Sequence, residues 1–147
     1  MNRKVLIAYA TRHESTAEVA RVIGAELTCR GMTADVLSVE EVGGIRAYEA
    51  VEFIRTHQAA LRRIPVAVFT LHVQATSDSE EDRRQRESYL DGVRAILQPQ
   101  HEAWFSGSLD QTVLTEEERL ACPMPNVSLP WDQRDWDDIR AWARRIL

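Results

Sequence analysis

Apolar and polar positions along this chain switch between two periods. The run Lys4-Val5-Leu6-Ile7-Ala8-Tyr9 predicts a buried strand, and the spacing of Val19, Ile23 and Leu27, with Ala20 beside them, predicts a helix from Thr16 to Arg30 that Gly31 stops. Thr33-Ala34-Asp35-Val36-Leu37-Ser38 reads as a second strand, close enough behind a helix for a right-handed β-α-β unit. Beyond Gly43-Gly44, the positions Ala47, Ala50, Val51, Ile54 and Leu61 predict one long helix from Ile45 to Arg63, ended by Pro65. Val66 to Leu71 is short, apolar and bounded by Pro65 and a polar run, which reads as a strand. Ser79-Glu80-Glu81-Asp82 is an acidic helix start, and it leads to a stripe of Tyr89, Leu90, Val93, Ile96 and Leu97 that ends before Pro99. Ala103 to Leu109 predicts the last strand. From Asp110 to Trp131 the pattern is irregular, with one helical turn suggested by the capping box Thr115 to Glu118. Asp135 and Asp138 then cap a final helix with Ile139, Trp142, Ala143 and Ile146 on its inner face. The alternation predicts a single α/β domain over residues 1–147, with a parallel sheet and no repeats or linkers.

Composition narrows the function classes. A chain of 147 residues is long enough to bury a core without disulfides or metals. Its net charge is -5 with no dense Lys/Arg block, which argues against a nucleic-acid surface or an anionic-membrane patch. It begins on a core strand without a signal-peptide pattern, and no apolar run approaches the roughly 20 residues of a membrane span, so a cytoplasmic setting is expected. Cys29 and Cys122 lack partners at metal-ligand spacing and read as buried free thiols.

The chemistry concentrates after the first strand. In Thr11-Arg12-His13-Glu14-Ser15-Thr16, hydroxyls gather with the free N–H groups of a helix start, where the helix dipole also favours negative charge. A phosphate suits that loop. Arg12 offers direct phosphate pairing and His13 a weaker donor, both of which would offset Glu14; a solvated loop is the plainer reading of all three. His72 stands at the carboxyl end of a strand, where the ligands of α/β sheets gather, although it has no Cys, His or Asp pattern around it. His57 and His101 read as exposed. Trp104, Trp136 and Trp142 follow core patterning, which leaves Trp131 as the tryptophan free to face a site. Glu80 to Arg86 reads as an exposed helix start with a Glu80–Arg84 pair. Nothing has the spacing of a nucleophile triad, a zinc site or a Walker loop.

The strand, hydroxyl loop and helix of residues 4–16 resemble the phosphate loop of the flavodoxin family, usually Thr-x-x-Gly-x-Thr after a hydrophobic strand. Tyr48-Glu49-Ala50, His57 to Val66, and Arg134-Asp135-Trp136 with Trp142-Ala143 extend the likeness over nearly the whole chain. It is nearest to the short-chain branch of menaquinone-dependent protoporphyrinogen IX dehydrogenases. The resemblance implies a flavodoxin-like three-layer sandwich with a reduced parallel sheet of about four strands. It further implies FMN-linked electron transfer or oxidoreductase activity, with Thr11, Arg12, His13, Ser15 and Thr16 around the phosphate. His72, Val73 and Gln74 would lie in the turn that contacts the flavin ring. Two departures stand out. Glu14 occupies the Gly position, and Ala50 runs straight into Val51, where the family has a central strand and a flavin loop. Without that strand, the others must close into a four-stranded sheet or take an edge from a second chain. Two functions follow: an FMN-dependent redox protein, or a flavin-free relative serving as a binding or dimerisation module. A homodimer is expected through the 45–63 helix, with Tyr48 and Phe53 at the contact.

Overall fold

The structure is a computed structural model that describes residues 3–11, 14–39, 49–110, 112, 115–121 and 131–146. The chain runs β1 (Lys4–Tyr9), α1 (Ser15–Cys29), β2 (Thr33–Ser38), α2 (Glu49–Thr56), α3 (Gln58–Leu61), β3 (Ala67–His72) and α4 (Glu80–Ser88). It continues with α5 (Asp91–Arg94), β4 (His101–Ser106), β5 (Ser108–Leu109), α6 (Glu116–Ala121), β6 (Trp131–Asp132) and α7 (Trp136–Arg145). The helix stops and starts follow local chemistry. Gly31 ends α1 at φ 85°, and Asp135 caps α7 by accepting from the N–H groups of Asp137 and Asp138.

The four expected parallel strands are present, joined as two hydrogen-bonded pairs. β1 pairs with β2 from Lys4↔Thr33 to Tyr9↔Ser38, and β3 with β4 from Ala67↔His101 to His72↔Ser106. Among the described residues no ladder links the two pairs. A short antiparallel pair, β5 with β6, lies beyond Gly107. One core nevertheless spans both parallel pairs. Val19, Ala20, Ile23 and Leu27 of α1 and Ile139, Trp142 and Ala143 of α7 pack with Ile7 of β1 and with Ala103 and Phe105 of β4. Trp142 meets Phe69 and Phe105 edge-on, at centroid distances of 5.9 and 5.7 Å. On the opposite face, Leu90, Val93 and Leu97 cover Val66, Val68 and Trp104 and are joined by Val51 and Ile54 of α2. This gives three layers over the second pair.

Several expected elements are divided or shifted. The long helix expected over 45–63 is, where described, two helices that break at His57; residues 45–48 lie outside the described residues. The stripe from Tyr89 to Leu97 belongs to α5 and the turns flanking it, because the chain leaves α4 at Tyr89 to carry Leu90 into the core. The last strand is interrupted at Gly107, where β4 ends and β5 begins. Cys29, expected as a buried thiol, is exposed at the end of α1 because the apolar stripe runs through Ile23 and Leu27 on another side of the helix. Cys122 lies outside the described residues.

Gly24 marks the closest approach of α1 to the first pair. A Cβ there would stand 2.7 Å from Val36 Cγ2 and 3.4 Å from Ile7 Cδ1. Val36 is β-branched and stiff. Ala is worth about 1 kcal/mol more than Gly inside a helix, while overpacking costs about 1 to 3 kcal/mol, so the steric effect wins. Gly24→Ala is therefore expected to lower the urea midpoint, and adding Val36→Ala to that variant should relieve the clash; urea melts of both check it.

Candidate functional site

The carboxyl ends of β1 and β3 and the first turn of α1 gather on one side of the molecule. β1 delivers the chain to Thr11, which is half-buried, and Ser15 opens α1. Between them Glu14 takes φ 63°, the left-handed conformation that glycine adopts freely and other residues reach at about 1 to 2 kcal/mol. The loop thus keeps a glycine-like turn despite the carboxylate. Among the described residues no side chain caps α1, and its first intrahelical bond is from the N–H of Glu18 to the carbonyl of Glu14. The N–H groups of the turn before Glu18 therefore have no intrahelical acceptor.

Two carboxylates near this turn each have a cationic partner. Glu14 is exposed and lies 3.5 Å from Arg21 Nη2, and Glu18 accepts from Arg134 Nη1. Arg134 is nearly buried, stacks over the Trp136 ring at 4.7 Å and also donates to Asp132, whose carboxyl it holds below the usual carboxylate range. Of the remaining loop residues, Ser15 and Thr16 are half-buried, and Ser15 Oγ accepts from Ser108 Oγ at 3.1 Å. Arg12 and His13 lie outside the described residues.

His72 closes β3 and is only 7 % exposed. Its carbonyl accepts from Gly107 N at 2.8 Å, and the Gly107 carbonyl accepts from Gln133 N at 3.1 Å, which binds the ends of β3, β4 and β6 together. Burial pushes the imidazole pKa down from 6.5, and the Arg86 guanidinium adds to the shift. Among the described residues the buried Nδ1 of His72 has no hydrogen-bond partner, and the same holds for Thr70 Oγ1 and Trp104 Nε1. Thr70 and His72 alternate on one face of β3, and Trp104 is the register partner of Thr70.

After His72, Val73 is half-buried and Gln74 exposed, and the chain then turns through Ala75 at φ 54°. Arg86 from α4 holds this turn by donating to the carbonyls of Ala75 and Ser77, the latter at 2.7 Å. Asp82 accepts from Ser77 N at 2.8 Å, and its carboxyl is held low by hydrogen bonds from the Ser77 side chain and backbone. Arg86 thus serves the loop, where the sequence suggested only a solvated helix start. The Glu80–Arg84 pair is present as expected. His57 and His101 are exposed, and Trp131 is half-buried in β6. Ser108 and Arg134 complete the surroundings of α1. Only their contacts with residues about a hundred positions away reveal them, a signal that local pattern does not carry.

A doubly wound α/β domain with an open helix start beside the carboxyl ends of its strands is a scaffold for phosphate-bearing ligands. The chain belongs to the flavodoxin domain family, whose match covers residues 6–127. No curated protein and no solved structure matches the chain. Among the described residues there is no cluster of metal-ligating side chains, and no helix is long and apolar enough to cross a membrane.

Two outcomes follow from the backbone and from the buried imidazole. Glu14→Gly removes the left-handed penalty and should raise stability by up to about 1 kcal/mol, whereas Glu14→Val should lower it; urea midpoints of the two variants decide. The pKa of His72 is lower in the folded chain than the 6.5 of the unfolded one. Between those values the unfolded state binds more protons, so stability is level above pH 6.5, falls as pH drops from 6.5 toward the folded value, and levels off below it. His72→Gln should abolish that fall, as denaturation at a series of pH values will reveal.

Proposed function

We propose that this flavodoxin-family domain binds FMN, with the phosphate at Thr11 to Thr16 and the ring beside the His72 to Thr76 turn, and serves electron transfer or an oxidoreductase reaction. The observation that carries this reading is the uncapped start of α1. Its free N–H groups follow a left-handed Glu14, and the nearby carboxylates are each engaged by an arginine. An anion at that turn would supply the missing acceptor. In this reading Thr11 and Thr16, both half-buried, supply hydroxyls to it, and Ser15 Oγ is bonded by Ser108 Oγ. His72, neutral and with an unpartnered ring nitrogen, adds a hydrogen-bonding group at the end of β3. When bound, the flavin supplies the redox chemistry, while these residues hold and orient it. Protoporphyrinogen dehydrogenase-type activity and a cytoplasmic setting belong to the same proposal.

One observation favours the second reading, a binding or dimerisation module. Leu6 and Leu37 are 56 % and 39 % exposed two rungs apart on one face of the β1–β2 pair, beside Asp35, and no described helix covers them. Phe53 is half-buried against His57, with ring centroids 4.6 Å apart, and Tyr48 lies outside the described residues. A homodimer is therefore proposed through the strand face rather than through the 45–63 helix. Leu6→Glu should shift a dimer to monomer in light scattering; a parent that is monomeric at every concentration rules this contact out.

FMN titration followed by visible absorbance tests the first reading. Thr11→Ala and Thr16→Ala should each weaken binding about tenfold, the loss of one hydrogen bond to a charged group. A parent that ignores FMN, or variants that bind it as well as the parent does, would count against the phosphate site. Inorganic phosphate as competitor distinguishes a surviving anion site from a flavin site.

A further inference from the structure

We propose that His72 and Arg86 form a pH-sensitive latch on the loop between β3 and α4, closed when His72 is neutral and released when it is protonated. The latch regulates the loop assigned to the flavin ring and to that extent rests on the proposed function; its test requires no flavin.

Ala75 stands at φ 54°, a conformation that L residues rarely adopt, and Arg86 donates to the carbonyls on either side of Thr76, at Ala75 and Ser77. Ser77 N and Ser79 N complete the turn by donating to Asp82 and to Ser77 Oγ. Arg86 thus reaches from α4 to the carbonyls of this turn, beside the Asp82 carboxylate that accepts from Ser77 N.

His72 is buried immediately before this loop. The groups that face it are few. From α4 come Arg86, whose charge it senses, and the Tyr89 ring at 6.3 Å; Tyr89 itself is engaged by Gln85. From the strands come Thr70, Trp104, Ser106 and Gly107, none of which titrates near neutrality. Among the described residues no carboxylate pairs with the imidazole. A proton on His72 would therefore be an uncompensated buried cation beside a second cation. Two responses lower that energy: the ring moves toward water, or Arg86 swings outward. Either one loosens the Ala75 and Ser77 contacts. Asp82 is within electrostatic reach of Arg86, but its carboxyl is held low and stays charged throughout the range in which an imidazole titrates, so it steadies Arg86 and does not sense pH.

The experiment is amide hydrogen exchange of the free protein at pH 7.5 and at a pH below the His72 midpoint read from a nitrogen-15 titration of the parent, expressed as protection factors for Ser77 N and Ser79 N. The parent should lose about tenfold in protection at the lower pH, His72→Gln should show no such loss, and Arg86→Gln should be poorly protected at both. A parent with unchanged protection overturns the proposal, as does a His72→Gln variant that loses as much as the parent. Should His72→Gln fail to fold, a nitrogen-15 titration of the parent's histidines decides instead. The Ser77 and Ser79 signals must then shift with the same midpoint as the His72 ring, and a separate midpoint overturns the latch. Failure of FMN binding would leave each of these readings intact, and a failed latch would leave the flavin reading intact.

Discussion

One layer of side chains holds two ladders side by side. The β1–β2 and β3–β4 pairs are each knit by parallel hydrogen bonds, yet among the described residues none passes from one pair to the other. Their common position comes from α1 and α7, whose inner faces pack against both. Trp142 is the centre of this arrangement: its indole lies edge-on to Phe69 and Phe105 of one pair, while its helix packs along α1, which covers the other. Hydrogen bonds fix the distance between strands within narrow limits, whereas apolar packing is non-directional and tolerates small sliding. The relative placement of the pairs thus rests on the less directional of the two forces.

The site inherits this division. The turn proposed to take an anion belongs to the first pair through β1 and α1, and the His72 loop belongs to the second through β3 and α4. Among the described residues, the Ser108–Ser15 hydroxyl contact and the Arg134 bridge from Asp132 at β6 to Glu18 tie α1 to the short strands that follow β4. Arg134 is the more substantial of these, being nearly buried and stacked on Trp136. A planar guanidinium that bonds two carboxylates while lying on an indole loses little freedom per contact, which suits it to fixing the geometry between two independently built parts.

Local periodicity made most elements legible. β1, β2, α1 and α7 stand where the strand run, the 3.6-residue stripe, Gly31 and Asp135 place them, because each has a clear apolar face and a clear stop. The long helices were less legible. At His57 and at Tyr89 the apolar stripe continues in register across a break, so periodicity alone cannot register the turn. The site was half visible. Its hydroxyls and His72 announced themselves by position after strands, whereas the role of Arg86 was hidden behind an ordinary run of helix charges. Glu14 was legible by its place: it stands where the resembling loop has a glycine, and it takes the glycine-like φ of 63°. The buried polar atoms of Thr70 and Trp104 could not be foreseen, since being unpartnered is a property of the assembled face and not of either residue.

The pairing of α1 with α7 has a further consequence for the order in which the molecule can be made. β1, α1 and β2 are complete within the first 38 residues, a unit that closes its own ladder but leaves Val19, Ile23 and Leu27 waiting for partners from α7, about a hundred residues later. During synthesis the side of α1 that meets α7 therefore stays uncovered until that helix emerges, while its other side already packs on β1 and β2. Contacts so distant in sequence slow the final step and lengthen that exposure. For this chain the interval between making β2 and making α7 is when a chaperone or a neighbouring nascent chain has most to hold on to.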